Sequence, residues 1–189
     1  MILFVNACVR ERSRTKLLAE HLLGKLSGDI KEVRLEDAFF PLADEAFLKK
    51  RDRFIAAKDF SDAMFDLAKD FAAADEIVIA APFWDLSFPA SLKQYFEQIN
   101  VIGLTFGYND KGEPVGLCRA KKLYYVTTAG GRIFDESYGF GYVKALADHF
   151  YGIDKCVLFK AEGLDIYGAD TAAILSDAKA RIDIHMTGK

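Results

Sequence analysis

The amino-acid sequence predicts an α/β fold in which a parallel sheet carries helices on both faces. Two observations support this prediction: five short apolar runs typical of buried strands, and amphipathic segments that separate them. Strands that are joined through a helix pair in parallel by right-handed crossovers, which distributes the helices over both faces. Ligands bind such sheets beyond the carboxyl ends of the strands, so the loops that follow the strands are the places to look for function.

The first half of the chain alternates between the two patterns. Residues 2–7 (ILFVNA) predict a strand that is buried on both faces, and residues 14–26 predict a helix with leucines three and four positions apart. Residues 31–36 (KEVRLE) alternate as an edge strand does. The charged, Ala-rich residues 44–73 predict two helical pieces with a break near 59–61, where Asp and Ser favour capping.

The second half contains the most apolar run, residues 76–81 (EIVIAA), which predicts a strand in the centre of the sheet. A helix at 89–100 follows. Residues 103–116 contain Asn, Asp, Gly and Pro in a pattern typical of a hairpin-like excursion, which interrupts the alternation. The remaining predicted elements are a strand at 121–129, a helix at 140–151, a strand at 156–163 and a helix at 170–186.

Composition narrows the class of protein. With 51% hydrophobic residues there is material for a core, and the length fits one domain over residues 1–189. The formal charge of -3 and the dispersed basic residues argue against a nucleic-acid partner. Cys8, Cys118 and Cys156 are odd in number and lack CxxC spacing, which indicates reduced thiols rather than a disulfide frame or a metal site. Without a membrane-length apolar run or a signal-peptide pattern, we expect a cytoplasmic protein with no membrane partner.

The loop after the first strand favours an anion. It places Arg10, Ser13, Arg14 and Thr15 at the start of a helix, where free backbone N–H groups and the helix dipole attract a phosphate. Taken alone, the loop fits equally well an ordinary Ser13 N-cap beside surface arginines. It lacks the GxGxxG and GxxxxGK[ST] patterns, so neither a dinucleotide fingerprint nor an ATP cradle is supported.

The loop after the central strand reads PFWDLSFPASLK, residues 82–93, and is unusually aromatic. An isolated aromatic residue at such a place is more often part of the core than of a cofactor site. Here Pro82 stiffens the exit from the strand, and Pro89 starts a helix that points away. The backbone N–H groups from Trp84 to Leu86 can therefore line the edge of a planar heterocycle.

The loop after the next long strand, TTAGGR at residues 127–132, contains a glycine pair. Glycines permit positive φ and let backbone amides gather round an acceptor, although a tight turn explains the pair as well. A phosphate loop, a ring-edge loop and this pair together suit a mononucleotide with a planar ring, and FMN fits best. The amides of Ala129, Gly130 and Gly131 can stabilise the negative charge of a reduced flavin.

With these loops in view, the sequence resembles the FMN-dependent NADH azoreductases and related NAD(P)H quinone reductases of the flavodoxin-like fold. The resemblance spans nearly the whole chain, and the order and spacing of its pieces are more specific than any one of them. It rests on SRT (13–15), PFWDLSFPASLKQYFEQI (82–99), GLTFGY (103–108), GLCRAKKLYYVTTAGG (116–131) and AEGLDIYG (161–168). It implies a doubly wound, five-stranded parallel sheet in strand order 2-1-3-4-5, and a homodimer whose flavins lie near the interface.

The resemblance also implies the site. Phosphate contacts fall on residues 13–15, isoalloxazine contacts on 83–86 and ring-edge contacts on 128–131, with residue 8 near the cofactor. Together with the loop arguments, the candidate cofactor-binding residues are Cys8, Arg10, Ser13, Arg14, Thr15, Pro82, Phe83, Trp84, Asp85, Leu86, Thr128, Ala129, Gly130 and Gly131. The candidate substrate-pocket residues are Trp84, Phe106 and Tyr108, and of these Phe106 and Tyr108 are candidates to cover either the site of their own chain or that of the partner.

Four positions depart from the family pattern, which usually has serine at position 8, Tyr-Asn at 84–85 and often arginine at 129. The thiol of Cys8 is a weaker hydrogen-bond partner than a hydroxyl, so we expect it to contribute little, and Arg10 or Arg12 can compensate. A carboxylate from Asp85 beside a flavin edge would disfavour the anionic reduced form and lower its potential. That effect disappears if only the Asp85 backbone amide makes the contact.

The expected activity is a two-step exchange. NADH or NADPH transfers hydride to flavin N5 and leaves, and a quinone or azo compound then enters the same pocket and is reduced. The cofactor carries this chemistry, so no side chain is assigned as a catalytic residue. An electron carrier or flavin-binding module without nicotinamide oxidation is the alternative, and the excursion at 103–116 argues against it. A fold retained without flavin is a third interpretation.

Overall fold

Strands and helices alternate along the chain, and the computed structural model describes residues 1–188 of it. A 3₁₀ turn at Ala63–Phe65 and a π-helical turn at Ala147–Tyr151 join neighbouring helices or extend them. The strands are β1 (Ile2–Asn6), β2 (Ile30–Arg34), β3 (Glu76–Ala80), β4 (Phe106–Tyr108), β5 (Pro114–Gly116), β6 (Lys122–Thr128) and β7 (Lys155–Ala161). The helices are α1 (Arg14–Leu23), α2 (Glu45–Ala57), α3 (Asp66–Ala73), α4 (Ala90–Ile99), α5 (Phe140–Leu146) and α6 (Thr171–Thr187).

The main sheet is parallel and has the order β2-β1-β3-β6-β7. Since β4 and β5 lie outside it, this is the predicted order 2-1-3-4-5, and the prediction is confirmed. The strand β2 lies at one edge with most of its side chains exposed, while β3 is central and almost fully buried. The predicted excursion is an antiparallel hairpin of β4 and β5, in which Phe106 pairs with Gly116.

Side chains of each central strand alternate between two cores because successive residues of a strand point to opposite faces. One core packs α3, α4 and α5 against the sheet, and its members include Leu3, Val5, Phe71, Ile77, Tyr95 and Val143. The other packs α1 and α6 against the opposite face, and its members include Phe4, Leu18, Leu22, Val78, Ala178 and Ile182. Helices on both faces are therefore confirmed.

The helices follow the predicted pattern, with one difference at the end of α5. The predicted break is confirmed: α2 ends at Ala57, and the side chain of Asp59 accepts a hydrogen bond from the Ser61 N–H group at 3.0 Å. The predicted helix 140–151 is α-helical only to Leu146, and its last turn is π-helical. None of the helices within residues 1–188 is both long and apolar enough to cross a membrane.

The β4–β5 hairpin packs against the π-helical turn. The ring of Phe106 stacks on that of Phe150, with centroids 4.6 Å apart and planes only 5° apart. A Cβ on Gly116 would overlap backbone atoms of Tyr151 and Gly152, so the two segments touch through their main chains. Because the hairpin leads into β6 and the turn leads into β7, both lie near the amino ends of the strands, which we call the amino edge of the sheet.

Candidate functional site

A cavity of about 240 Å³ lies at the opposite, carboxyl edge of the sheet, where β1, β3 and β6 end. Most of the predicted cofactor-binding residues line it: Cys8, Arg10, Ser13, Arg14, Thr15, Pro82, Phe83, Trp84, Thr128 and Gly130. Three further lining residues, Val9, Arg12 and Asp165, were not among them. The predicted residues Asp85, Leu86, Ala129 and Gly131 belong to the same loops without lining the cavity. The order β1, β3, β6 places three separate loops around one space, as the fold class predicts.

The N-terminus of α1 faces this cavity. Ser13 is the N-cap, and its Oγ accepts a hydrogen bond from the Lys16 N–H group at 3.2 Å. The hydroxyl hydrogen of Ser13 is not used by that bond, so it can still be donated to an anion. The two interpretations of Ser13, as a helix cap and as a cavity residue, are therefore compatible.

A buried pair of hydroxyls joins α1 to the end of β6. The Oγ1 atoms of Thr15 and Thr128 lie 2.6 Å apart, and either can donate to the other. Next to them, the Phe83 N–H group donates to the Thr128 carbonyl at 3.0 Å, which ties the loop after β3 to the same strand end. The three loops of the cavity are thus held together by hydrogen bonds at one point.

Arg14 is paired with Asp165, which follows β7. Nη1 of Arg14 lies 2.8 Å from Oδ1 of Asp165, and Nη2 lies 3.1 Å from Oδ2, so the pair is bidentate. Nη1 also donates to the Leu164 carbonyl at 3.3 Å. The Arg14 guanidinium holds the pKa of Asp165 below its usual value. Sequence reasoning missed Asp165, although its place shortly after a parallel strand was a signal for this edge.

Gly130 makes room for a neighbouring side chain rather than providing an unusual backbone conformation. Neither Gly130 nor Gly131, both in the described part of the chain, has a positive φ, so that expectation was wrong. Instead, a Cβ on Gly130 would lie 3.0 Å from Cγ of Asp165 and would overlap its carboxylate oxygen. The glycine therefore leaves room for the acidic side chain, while Gly131 faces open space.

The backbone amide of Ala129 is not available to a ligand. It donates to the Ala161 carbonyl at 2.9 Å and so continues the ladder between β6 and β7. The expectation that the amides of all three residues 129–131 surround an anion is corrected accordingly. The amides that remain candidates are those of Gly130 and Gly131.

The loop after β3 makes a tight turn whose tip is strained. Trp84 and Ser87 exchange two backbone hydrogen bonds, of 3.1 and 2.8 Å, across Asp85 and Leu86. Both tip residues have left-handed backbone conformations, with φ of 50° and 67°, which cost on the order of 1 kcal/mol each for non-glycine residues. Non-glycine residues in such conformations cluster at functional sites.

This turn decides which amides can face a ring edge. The Trp84 N–H group, which was expected to be one of them, is used by the Ser87 carbonyl. The N–H groups of Asp85 and Leu86 make no hydrogen bond within residues 1–188. The Asp85 side chain is exposed, and Asp85 is not among the residues that line the cavity. The effect expected of its carboxylate on a bound flavin stays a prediction.

Two other side chains shape the cavity. The guanidinium carbon of Arg10 lies 6.0 Å from the ring centroid of the half-buried Trp84, at the limit of a cation–π contact. Cys8 is buried, with Sγ 3.8 Å from the Ala80 carbonyl, and burial raises the pKa of its thiol to about 11. The cavity therefore has cationic groups at its rim and a neutral thiol at its base.

Phe106 and Tyr108, the other predicted substrate-pocket residues, are not brought to this cavity. Phe106 is 6% exposed and is held by its stacking on Phe150 at the amino edge. Tyr108 is 55% exposed on the same hairpin. The aromatic character of the excursion is explained by packing, and a role for Tyr108 in a second chain's site stays a prediction.

Large apolar side chains are exposed in the loops at the carboxyl edge of the sheet, where the cavity lies. They belong to the loops that follow β1, β3, β6 and β7, and two of them, Phe134 and Tyr167, are almost fully exposed. The others are Val9, Leu86, Tyr138 and Ile166. Apolar groups gathered on one edge of a chain are typical of a surface that another molecule covers.

Comparison with known proteins gives one family and several relatives. The family model described as "Flavodoxin-like fold" matches residues 1–186. An FMN-dependent NADH:quinone oxidoreductase of Coprothermobacter proteolyticus is 35% identical over 193 residues, which cover 94% of this chain and 93% of that relative. FMN-dependent NADH:quinone oxidoreductase 2 of Clostridium acetobutylicum is 44% identical over 113 residues, which cover 57% of this chain and 56% of that protein.

Among solved structures, a FMN-dependent NADH-azoreductase from Bacillus anthracis str. Ames Ancestor in complex with FMN has the same fold. The two superpose with a TM-score of 0.80 at 21% sequence identity, over 98% of this chain and 97% of that one. At this identity the likeness supports the fold alone.

Proposed function

The chain belongs to the flavodoxin-like family that includes FMN-dependent NADH:quinone oxidoreductases, and on this premise we propose that it uses FMN to oxidise NADH and reduce quinones or azo compounds. The observation that carries the proposal is the cavity itself. It joins a cationic helix N-terminus to an aromatic turn and a glycine loop at the place where parallel sheets of this kind bind ligands.

The residues present fit FMN from end to end. Ser13, Arg14 and Thr15 offer a hydroxyl, a guanidinium and backbone N–H groups to the phosphate at the start of α1. Trp84 offers an apolar surface for the ring, and the tip amides of Asp85 and Leu86 offer donors for its edge. Arg10, Cys8, Pro82, Phe83, Thr128, Ala129, Gly130 and Gly131 complete the proposed set.

We propose a ping-pong mechanism. FMN, when bound, supplies hydride acceptance and donation at its N5 atom. The chain's own residues bind and orient: Arg14 holds the phosphate, Trp84 covers the ring, and the Gly130 and Gly131 amides donate towards developing negative charge. NADH and the acceptor use the same open face of the cavity in turn, so the donor leaves before the quinone or azo compound enters.

We further propose that the protein acts as a homodimer, and that each substrate pocket uses residues of both chains. The cavity of one chain, about 240 Å³, is smaller than the roughly 300–1,000 Å³ of ordinary ligand pockets. Apolar residues such as Phe134 and Tyr167 are exposed in loops at the same edge of the sheet. Light scattering during size-exclusion chromatography is expected to give twice the chain mass, and a monomer at micromolar concentration would contradict this part of the proposal.

A cytoplasmic location is part of the proposal. Cys8, Cys118 and Cys156 are free thiols, and burial raises the pKa of Cys118 and Cys156 to about 12. Free thiols suit a reducing compartment, although they do not identify one.

An electron carrier without nicotinamide oxidation is the second candidate, and one observation favours it. The excursion that argued against a bare carrier lies at the amino edge, so within one chain it leaves the cavity uncovered. The carrier needs only a flavin with an accessible edge, which such a cavity provides.

The experiment starts with the visible spectrum of the purified protein, in which a flavin band is expected. NADH oxidation is then followed with and without an added quinone, and parallel lines in double-reciprocal plots are expected for the ping-pong order. FMN-loaded protein that fails to oxidise either NADH or NADPH would support the carrier. Protein that is colourless and takes up no FMN on titration would overturn the flavin proposal altogether.

A further inference from the structure

The ion pair between Arg14 and Asp165 is built from fixed parts of the fold. Asp165 is held by its backbone, because its N–H group donates to the Gly130 carbonyl at 2.9 Å and the Leu164 N–H group donates to the Ala129 carbonyl at 3.2 Å. The loop after β7 therefore carries the carboxylate to the cavity on a rigid support. Arg14 meets it through both terminal nitrogens.

The loop after β6 is shaped to admit this carboxylate. At Gly130 any side chain would collide with Asp165, since even a Cβ would lie 3.0 Å from its Cγ and nearer still to an oxygen. The neighbouring Gly131 has no such contact in the part of the chain that the structure describes. The clearance is thus specific to the position that faces the ion pair.

The geometry leaves one edge of the Arg14 guanidinium open. Asp165 and the Leu164 carbonyl engage Nη1 and Nη2, whereas Nε makes no hydrogen bond within residues 1–188. A guanidinium has five N–H donors in a planar fork, so its Nε and Nη2 side can bind a second anion while the terminal side is occupied. Arg14 can accordingly hold Asp165 and a phosphate at the same time.

We propose that Asp165 is a positioning residue that fixes Arg14 so that its open edge binds the phosphate of FMN, which makes the cavity selective for FMN over riboflavin. The inference rests on the proposed function. Arg14 has a long side chain with several rotatable bonds. Because Asp165 orders this side chain on folding, its loss of conformational entropy does not weaken FMN binding. Asp165 is 64% exposed, so solvent screens its repulsion of the phosphate.

The test compares two flavins that differ only in the phosphate. Dissociation constants of FMN and riboflavin are measured by fluorescence titration of the flavin-free full chain, for wild type and for Asp165→Asn. We expect the variant to bind FMN about tenfold more weakly and riboflavin within about twofold of wild type, because a charge-assisted contact is lost from the phosphate alone. Combining Asp165→Asn with Arg14→Lys is expected to weaken FMN no further than Arg14→Lys does.

Two further variants make the result specific. Gly130→Ala is expected to weaken FMN more than riboflavin, since its methyl group displaces the carboxylate while the backbone amide that serves both flavins is kept. The matched control is Asp183→Asn, which breaks an exposed ion pair with Lys25 and alters a hydrogen bond with His21 of α1, and which is expected to leave both dissociation constants unchanged.

Three outcomes would overturn the inference. Unchanged or tighter FMN binding by Asp165→Asn would make the carboxylate a bystander or a competitor of the phosphate. An equal loss of affinity for FMN and riboflavin would mean that Asp165 makes only a structural contact. A wild-type chain that binds neither flavin would contradict the proposed function as well, which distinguishes that failure from the other two.

Discussion

The two edges of the sheet use aromatic residues in opposite ways. At the amino edge, Phe106 and Phe150 stack on each other, and the main chain of Gly116 lies directly against that of Gly152. At the carboxyl edge, Trp84 is only half-buried beside a strained turn, and Phe134 is almost fully exposed. The amino edge is complete within one chain, whereas the carboxyl edge keeps groups that a ligand or another molecule can satisfy.

This difference predicts that substitutions at the amino edge change the free energy of unfolding and leave flavin affinity alone. Substitutions at the carboxyl edge should do the reverse.

The largest effect is expected from Gly116→Ala. Its methyl group would overlap backbone atoms of Tyr151 and Gly152, which cannot move as a flexible side chain can, so we expect a loss of about 3 kcal/mol of unfolding free energy. Urea denaturation measures it. Gly24→Ala is the control, since its methyl group would meet its nearest neighbours at an ordinary 3.6 Å, and we expect a change below about 1 kcal/mol. Similar losses of unfolding free energy in the two variants would show that the hairpin is not in close contact with the main chain of the π-helical turn.

Phe106→Ala and Trp84→Ala form a pair with opposite expected results. Removing the buried Phe106 ring leaves a cavity beside Phe150, and we expect about 3 kcal/mol of destabilisation with FMN affinity unchanged. Removing the Trp84 ring should weaken FMN binding about tenfold and cost little stability. Denaturation and FMN titration are run on both variants. A Trp84→Ala protein that loses only stability would assign Trp84 to the core.

Leu86→Gly tests the strained turn. Glycine removes the steric cost of φ at 67°, and after the entropy that it adds to the unfolded chain we expect a gain of about 0.5 kcal/mol. The more flexible turn should hold its tip amides less firmly and weaken FMN binding a few-fold. Lys58→Gly, at φ of 54° after α2, is the control that should gain similar stability without affecting FMN. If Leu86→Gly bound FMN as tightly as Lys58→Gly, the turn would not be part of the flavin site.

The smallest effect concerns the thiols of Cys8 and Cys118, one at each edge. Burial raises the pKa of Cys8 to about 11 and that of Cys118 to about 12, from an ordinary value of 9.0. A raised pKa gives stability that is present below pH about 9 and is lost as the pH rises through the folded value. Iodoacetamide at pH 8 should therefore label neither thiol at a rate near that of urea-unfolded protein. Towards pH 11, mass spectrometry should detect Cys8 labelled before Cys118, and the reverse order would contradict the assignment.

The fold was predictable because the hydrophobic periodicity of each segment indicates whether it is a strand or a helix, and because strands that alternate with helices form a parallel sheet. The apolar run at 76–81 led to the central strand β3, and the alternating run at 31–36 led to the edge strand β2. The three loops of the cavity followed from the same topology. The π-helical form of the last turn, Ala147–Tyr151, was not predictable from the local pattern, and this turn packs against a hairpin from an earlier part of the chain.

The details of the site were less predictable because they depend on partners distant in sequence. The amides of Ala129 and Trp84 were expected to be free, but β7 and Ser87 use them. The aromatic Phe106 was assigned to the substrate pocket, since an aromatic residue in a loop has the same appearance whether it packs or binds. Asp165 was missed because its partner, Arg14, lies 151 residues earlier. FMN contacts, homodimer and substrates remain proposals.

The absence of a side chain at Gly130 has a consequence for evolution. A descendant that acquired alanine at this position would have no room for the Asp165 carboxylate in its present place. A descendant that replaced Asp165 with a smaller residue would be released from the need for glycine. Positions 130 and 165 are therefore expected to change together when related chains diverge. Arginine at position 14 is expected to be lost only after Asp165, because losing it first would leave the Asp165 carboxylate without its partner.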